Sequence, residues 1–129
     1  MSSGLYALTV RTSFAAAHLL REYDGNCERL HGHNWHIEVR LAGEKLNKLG
    51  MLIDFRDAKR ILKEVTDKLD HSYLNEVPPF KKLNPTTENI ARFIFDELAA
   101  RLPKGVRPAS VTSWESQGCG VTYSGKTKR

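Results

Sequence analysis

The strongest constraint on how this chain can fold lies in the stretch HGHNWHIEVRL, His31 to Leu41. Its odd positions, His31, His33, Trp35, Ile37, Val39 and Leu41, are apolar or imidazole, while Asn34, His36, Glu38 and Arg40 at the even positions are polar. A period of two sustained this long requires an extended strand with one buried face, over about residues 31 to 42. The same alternation sends His31 and His33 out of one face, so both imidazoles can reach a common point. Gly32 between them is expected to leave room beside that point, and His36, on the opposite face, is expected to be solvated.

A second strand is expected over residues 5–18, where Leu8, Val10, Phe14 and Ala16 recur at period two and bring His18 to the same face. Helical spacing follows. Phe55, Ala58, Ile61, Leu62, Val65 and Leu69 form one stripe behind a capping Asp54, and Ile90, Ala91, Ile94, Leu98 and Leu102 form another behind Thr86 or Thr87. Between the helices, DHSYLNEVPPFKKLNP is long for a connection and reads as a functional loop. Two more strands, about 109–116 and 119–124, reverse at QGCG. The order β-β-α-α-β-β predicts an α+β fold, an antiparallel sheet with two helices on one face. At 129 residues it reads as a single domain, 1–129.

Composition excludes several classes. The chain is 40% apolar and 27% charged, the balance of a folded globular protein. Two cysteines are too few for a disulfide scaffold, and no run of about 18 apolar residues offers a membrane span. The N-terminal LYALTVRTSFAAAHLL lacks a basic leader and is broken by polar residues, so it does not read as a signal peptide. A cytoplasmic location and no membrane partner are the expectation. The net charge of +5 attracts anions in general, but the basic residues are scattered, apart from a GKTKR tail, and do not form a nucleic-acid signature.

Two strand histidines and a third from the preceding strand make a zinc site with an open position, which is the catalytic type. The alternative is a set of hydrogen-bonded strand histidines. Cys27, four residues before His31, is either a small buried thiol or, beside a cation, a thiolate of depressed pKa able to act as base or nucleophile. Asp70 and His71 are either a polar helix terminus or a carboxylate-oriented imidazole. Glu115, on the face of Val111, requires a partner: a ligand's amidine-like edge or an internal arginine.

These residues resemble the 6-pyruvoyl-tetrahydropterin synthase family, and within it the bacterial 6-carboxy-tetrahydropterin synthases of queuosine biosynthesis. The resemblance runs through FAAAHLL, CERLHGHNW, GMLIDFRD, LDHSYLN, PTTENIA and WES. The spacing Cys-x-x-x-His-Gly-His is that of the queuosine branch. The resemblance implies zinc on His18, His31 and His33, and a proton-transfer set of Cys27, Asp70 and His71. It also implies a pterin ring anchored by Glu115, with Thr86, Thr87 and Glu88 nearby. It further implies the T-fold (tunnelling fold), a homo-oligomer, usually a hexamer, with active sites between subunits, and a pterin triphosphate as substrate. The implied reaction converts 7,8-dihydroneopterin triphosphate to 6-carboxy-5,6,7,8-tetrahydropterin, acetaldehyde and triphosphate. A 6-pyruvoyl-forming or sepiapterin-cleaving enzyme is the alternative in the same family; a non-catalytic, zinc-stabilised nucleic-acid module is the alternative from another class. Arg11, Arg21, Lys81, Lys82 and the C-terminal lysines are all open as triphosphate ligands.

Overall fold

In the computed structural model, residues 4–23 and 29–127 are described. Two long strands, β1 (Tyr6–His18) and β2 (His31–Gly43), are followed by helix α1 (Phe55–Thr66), a two-residue strand β3 (Ser72–Tyr73) and a short 3-10 turn (Leu74–Glu76). Helix α2 (Thr87–Arg101) and the hairpin of β4 (Arg107–Ser116) and β5 (Cys119–Tyr123) complete the chain. The sheet order is β3-β1-β2-β4-β5.

The alternation in β2 has the predicted consequence. Trp35, Ile37, Val39 and Leu41 are fully buried and His36 is exposed, so the odd face is the one the helices cover. From β1, Val10, Phe14, Ala16 and His18 join that face, and Ala58, Ile61, Leu62 and Val65 of α1 and Ile90, Ala91, Ile94 and Leu98 of α2 close the core over it. Asp54 caps α1 by accepting from the Arg56 amide at 2.8 Å. Thr86 is the cap of α2, accepting from the Asn89 amide at 3.1 Å, which makes Thr87 the first helical residue.

The structure differs from expectation in two places. The sheet is mixed, because β3 lies parallel to β1 with Ala16 and Ala17 opposite Ser72 and Tyr73. A two-residue strand has too few positions to display a period. Helix α1 ends at Thr66 rather than Leu69: the Lys68 and Leu69 amides bond back three residues, to Val65 and Thr66, tightening the chain into turns while Leu69 stays buried. The apolar stripe therefore outlasts the helix.

The proline-rich connection is well anchored. Leu74 and Phe80 are fully buried, and Phe80 packs against Phe93 of α2 with ring centroids 5.5 Å apart. At the β4–β5 reversal, Ser116 pairs with Cys119 across a two-residue loop, and the free Cys119 is exposed. The second glycine there serves a neighbour: a Cβ on Gly120 would lie 2.6 Å from the Trp114 ring.

Candidate metal centre

Strand register builds the site. In the β1–β2 ladder His18 is directly opposite His31, Ala16 opposite His33 and Phe14 opposite Trp35, all on the core face. The three imidazoles meet at the end of the sheet, with ring centroids 4.6 Å (His18–His31), 4.7 Å (His31–His33) and 5.3 Å (His18–His33) apart. Trp35 forms the floor, edge-on to His18 and His33 at 5.1 and 5.4 Å.

Two carbonyls determine the tautomers. His18 Nδ1 is 2.8 Å from the Pro85 oxygen, and His31 Nδ1 is 2.8 Å from the Arg29 oxygen. A carbonyl can only accept, so each Nδ1 carries a proton and each ring turns its Nε2 inward. Those two Nε2 atoms face each other at 3.0 Å. His33 Nε2 is buried without a hydrogen-bond partner. Burial pushes the His18 imidazole below its ordinary range; His31 and His33 act in the same direction, against the opposing influence of the Pro85 carbonyl and Glu115.

Glu115 enters from β4, the strand on the far side of β2. Its Oε1 is 3.4 Å from His18 Nε2 and 3.7 Å from His33 Nε2. One ligand atom from each of His18, His31, His33 and Glu115 lies within 4.8 Å of all the others. Three converging imidazole nitrogens are a donor set suited to zinc, with the Glu115 carboxylate beside them, and a carbonyl on the outer nitrogen is the usual partner of a metal-binding histidine. The alternative, histidines satisfied by one another, leaves His33 Nε2 without a partner.

Asp70 and His71 form the expected pair, by a device the sequence does not announce. The Ala15 amide donates to Asp70 Oδ1 at 2.9 Å, and the His71 amide donates to the Ala15 carbonyl at 2.6 Å. His71 adopts a left-handed φ of 56°, which turns its ring so that Nδ1 lies 3.0 Å from Asp70 Oδ2. The Ala15 amide, with His71 adding to it, holds the Asp70 carboxyl below the usual range against a smaller opposing effect of burial. The pair thus stands at the outer edge of β1, where the His71 side chain is 82% exposed.

The start of α2 adjoins the cluster through Pro85, which brings the Thr86, Thr87 and Glu88 segment to its side; Thr86 and Thr87 are half-buried and Glu88 is exposed. Cys27 lies outside the described residues. Gly32 faces away from the centre, and a Cβ there would meet nothing nearer than the Ala16 oxygen at 3.8 Å, so its small size makes no room for the site. Among the triphosphate candidates, Arg11 pairs with Glu38 at 2.8 Å, and Arg21 donates to the carbonyls of Phe80 (2.6 Å), Asn75 (3.2 Å) and Leu83 (3.3 Å). Arg21 is a structural brace. Sequence reasoning missed the Pro85 and Arg29 carbonyls, since a backbone oxygen has no signature. It could have placed Glu115 beside the histidines from the shared face of β4 and β2.

Comparison with known proteins shows the family and the fold. Residues 7–126 match the profile of the 6-pyruvoyl tetrahydropterin synthase family. The chain is 34% identical to the 6-carboxy-5,6,7,8-tetrahydropterin synthase of Haemophilus influenzae, over 87% of this chain and 94% of that protein. It is 38% identical to the dihydroneopterin monophosphate aldolase of Pyrococcus furiosus, over 86% and 90% respectively. The solved 6-pyruvoyl tetrahydropterin synthase of Caenorhabditis elegans superposes with a TM-score of 0.82 at 28% identity, covering 98% of this chain and all of that one.

Proposed function

The chain belongs to the 6-pyruvoyl tetrahydropterin synthase family, and from that premise we propose that it is a zinc-dependent 6-carboxy-5,6,7,8-tetrahydropterin synthase of queuosine biosynthesis. It takes 7,8-dihydroneopterin triphosphate and water to 6-carboxy-5,6,7,8-tetrahydropterin, acetaldehyde and triphosphate. The observation that carries this reading is the convergence of His18, His31 and His33, read with Cys27 in the spacing Cys-x-x-x-His-Gly-His.

His18, His31 and His33 would hold zinc, which when bound supplies Lewis acidity to the substrate's hydroxylated side chain. The protein's own groups do the rest. Glu115 accepts two hydrogen bonds from the guanidine-like edge of the ring and so orients the side chain toward the histidines. Thr86, Thr87 and Glu88 flank the ring. Cys27 thiolate takes a side-chain proton, and His71, oriented by Asp70, is the partner acid or base. Triphosphate leaves by elimination, water adds to the side-chain carbonyl next to the ring, and a retro-aldol-like cleavage of that hydrate leaves the carboxylate on the ring and releases the two-carbon aldehyde. The side chain is oxidised as the ring is reduced, so no external redox partner enters the balance.

The exposed Asp70–His71 pair fits a homo-oligomer, expected as a hexamer, in which this pair serves the histidine cluster of a neighbouring copy. Apart from Ala16 and Ala17, the outer edge of β1 has no partner strand among the described residues, and neither has the outer edge of β5. Edges of this kind are natural seams between copies. No helix among the described residues is long and apolar enough to cross a membrane, and the cytoplasm is the proposed location.

The test is turnover of 7,8-dihydroneopterin triphosphate by zinc-loaded protein, with acetaldehyde and pterin mass followed beside Cys27→Ala. Acetaldehyde with a 6-carboxy product, lost in the variant, is the expected result. A 6-pyruvoyl product would move the chain to the other branch of the family. Cleavage of the monophosphate or of sepiapterin in preference to the triphosphate would move it to the aldolase-like or side-chain-cleaving activities.

A further inference from the structure

The Pro85 carbonyl that sets the His18 tautomer belongs to a loop, so something must hold it still for its hydrogen bond to matter. That hold is visible on both flanks. The Thr86 amide bonds to the Asn84 carbonyl at 2.8 Å, closing a three-residue turn around Pro85. The Asn84 carbonyl also accepts from Asn89 Nδ2 at 2.8 Å. The Asn84 side chain then ties this turn to the chain leaving β1: Oδ1 accepts from the Arg21 amide at 2.8 Å and Nδ2 donates to the Arg21 carbonyl at 3.1 Å. The amide thereby imitates one rung of a strand pair, three residues beyond His18 itself.

We propose that Asn84 is a positioning residue for the metal centre: it locks the Pro85 turn onto the segment that follows His18, so that the imidazole and the carbonyl orienting it move as one body. Asn84 touches neither metal nor substrate, and the proposal rests on the histidines binding zinc. The consequence is a preset His18 lone pair, which the metal does not have to organise on arrival. Loss of the clamp frees the carbonyl from the ring, and outer partners of this kind are worth about 10–100-fold in metal affinity. Asn75 makes a similar two-bond clamp to Leu19, which holds the chain beside His18 but leaves the Pro85 turn untouched.

The experiment is zinc affinity by chelator competition, with the visible spectrum of the cobalt(II) form as a second readout, for wild type, Asn84→Ala, Asn84→Asp and Leu98→Ala. Leu98 is buried about three turns along α2 from Pro85, so its truncation lowers the melting temperature without touching the clamp. The expected result is about 10–100-fold weaker zinc binding and altered cobalt bands in Asn84→Ala. Asn84→Asp retains the acceptor for the Arg21 amide and loses the donor, so a smaller loss is expected in a folded protein; this variant decides the matter if the alanine variant does not fold. Leu98→Ala should bind zinc like wild type. Unchanged affinity and spectrum in a folded Asn84 variant would overturn this inference alone, as would an equal loss in Leu98→Ala. A wild-type protein that takes up neither metal would overturn the metal reading and this inference together.

Discussion

His18 Nε2 and His31 Nε2 face each other at 3.0 Å, while the other nitrogen of each ring is committed to a carbonyl. Both Nε2 atoms are thus directed at one point, and a cation there would be bound by the two of them. Zinc should therefore raise the melting temperature of the metal-free protein, by the equivalent of about 2.7 kcal/mol at a hundredfold excess over the dissociation constant. His31→Ala should abolish that response while leaving the metal-free protein folded. Calorimetry with and without zinc checks both.

Asp70 is held by the Ala15 amide and by His71, so its folded-state pKa lies below the ordinary carboxylate value of about 3.9. A depressed folded pKa stabilises the protein fully above the ordinary value, and the contribution is lost as pH falls through the depressed one. Asp70→Asn should thus melt lower at neutral pH and lose less stability on acidification than wild type. Its turnover should fall by about 10²-fold or more, because His71 loses its orienting charge. Melting curves from pH 7 down to about pH 3, together with kcat, test the two halves separately.

Arg21 donates to three carbonyls of the 75–83 connection. Lysine keeps the charge but lacks the planar fork. Arg21→Lys should cost about 1–3 kcal/mol of stability. It should change KM by a similar factor for a triphosphorylated and an unphosphorylated pterin; a loss confined to the triphosphate would return Arg21 to substrate binding.

Phe80 is the buried anchor of the same connection. Phe80→Ala should cost about 3–5 kcal/mol, measured by denaturant unfolding. Part of that loss should appear as weaker zinc binding, since the Pro85 turn continues directly from the segment Phe80 secures.

Much of this was legible in the sequence because the relevant signals are periodic. The face of β2, the stripes of both helices and the convergence of His31 and His33 all follow from side-chain spacing. His18 required one further step, the register that sets it opposite His31, which the period of two in β1 left open while placing His18 on the face of Phe14 and Ala16. What escaped was written in backbone atoms or in conformations without a repeat. The Pro85 and Arg29 carbonyls have no side-chain signature, β3 is too short to show alternation, and the left-handed His71 occupies a region that few non-glycine residues visit. Arg21 was one open phosphate candidate among several, because a basic side chain in a loop does not reveal which carbonyls will claim it.

The pairing of His18 with His31 has a consequence for how the chain reaches its native state. Strand positions alternate between faces, so a slip of one residue between β1 and β2 would leave the two imidazoles on opposite sides of the sheet. Such a slip breaks up the three-nitrogen cluster. A metal ion bound at the end of the sheet would therefore favour the native alignment over a one-residue slip and act as a proofreader of strand register.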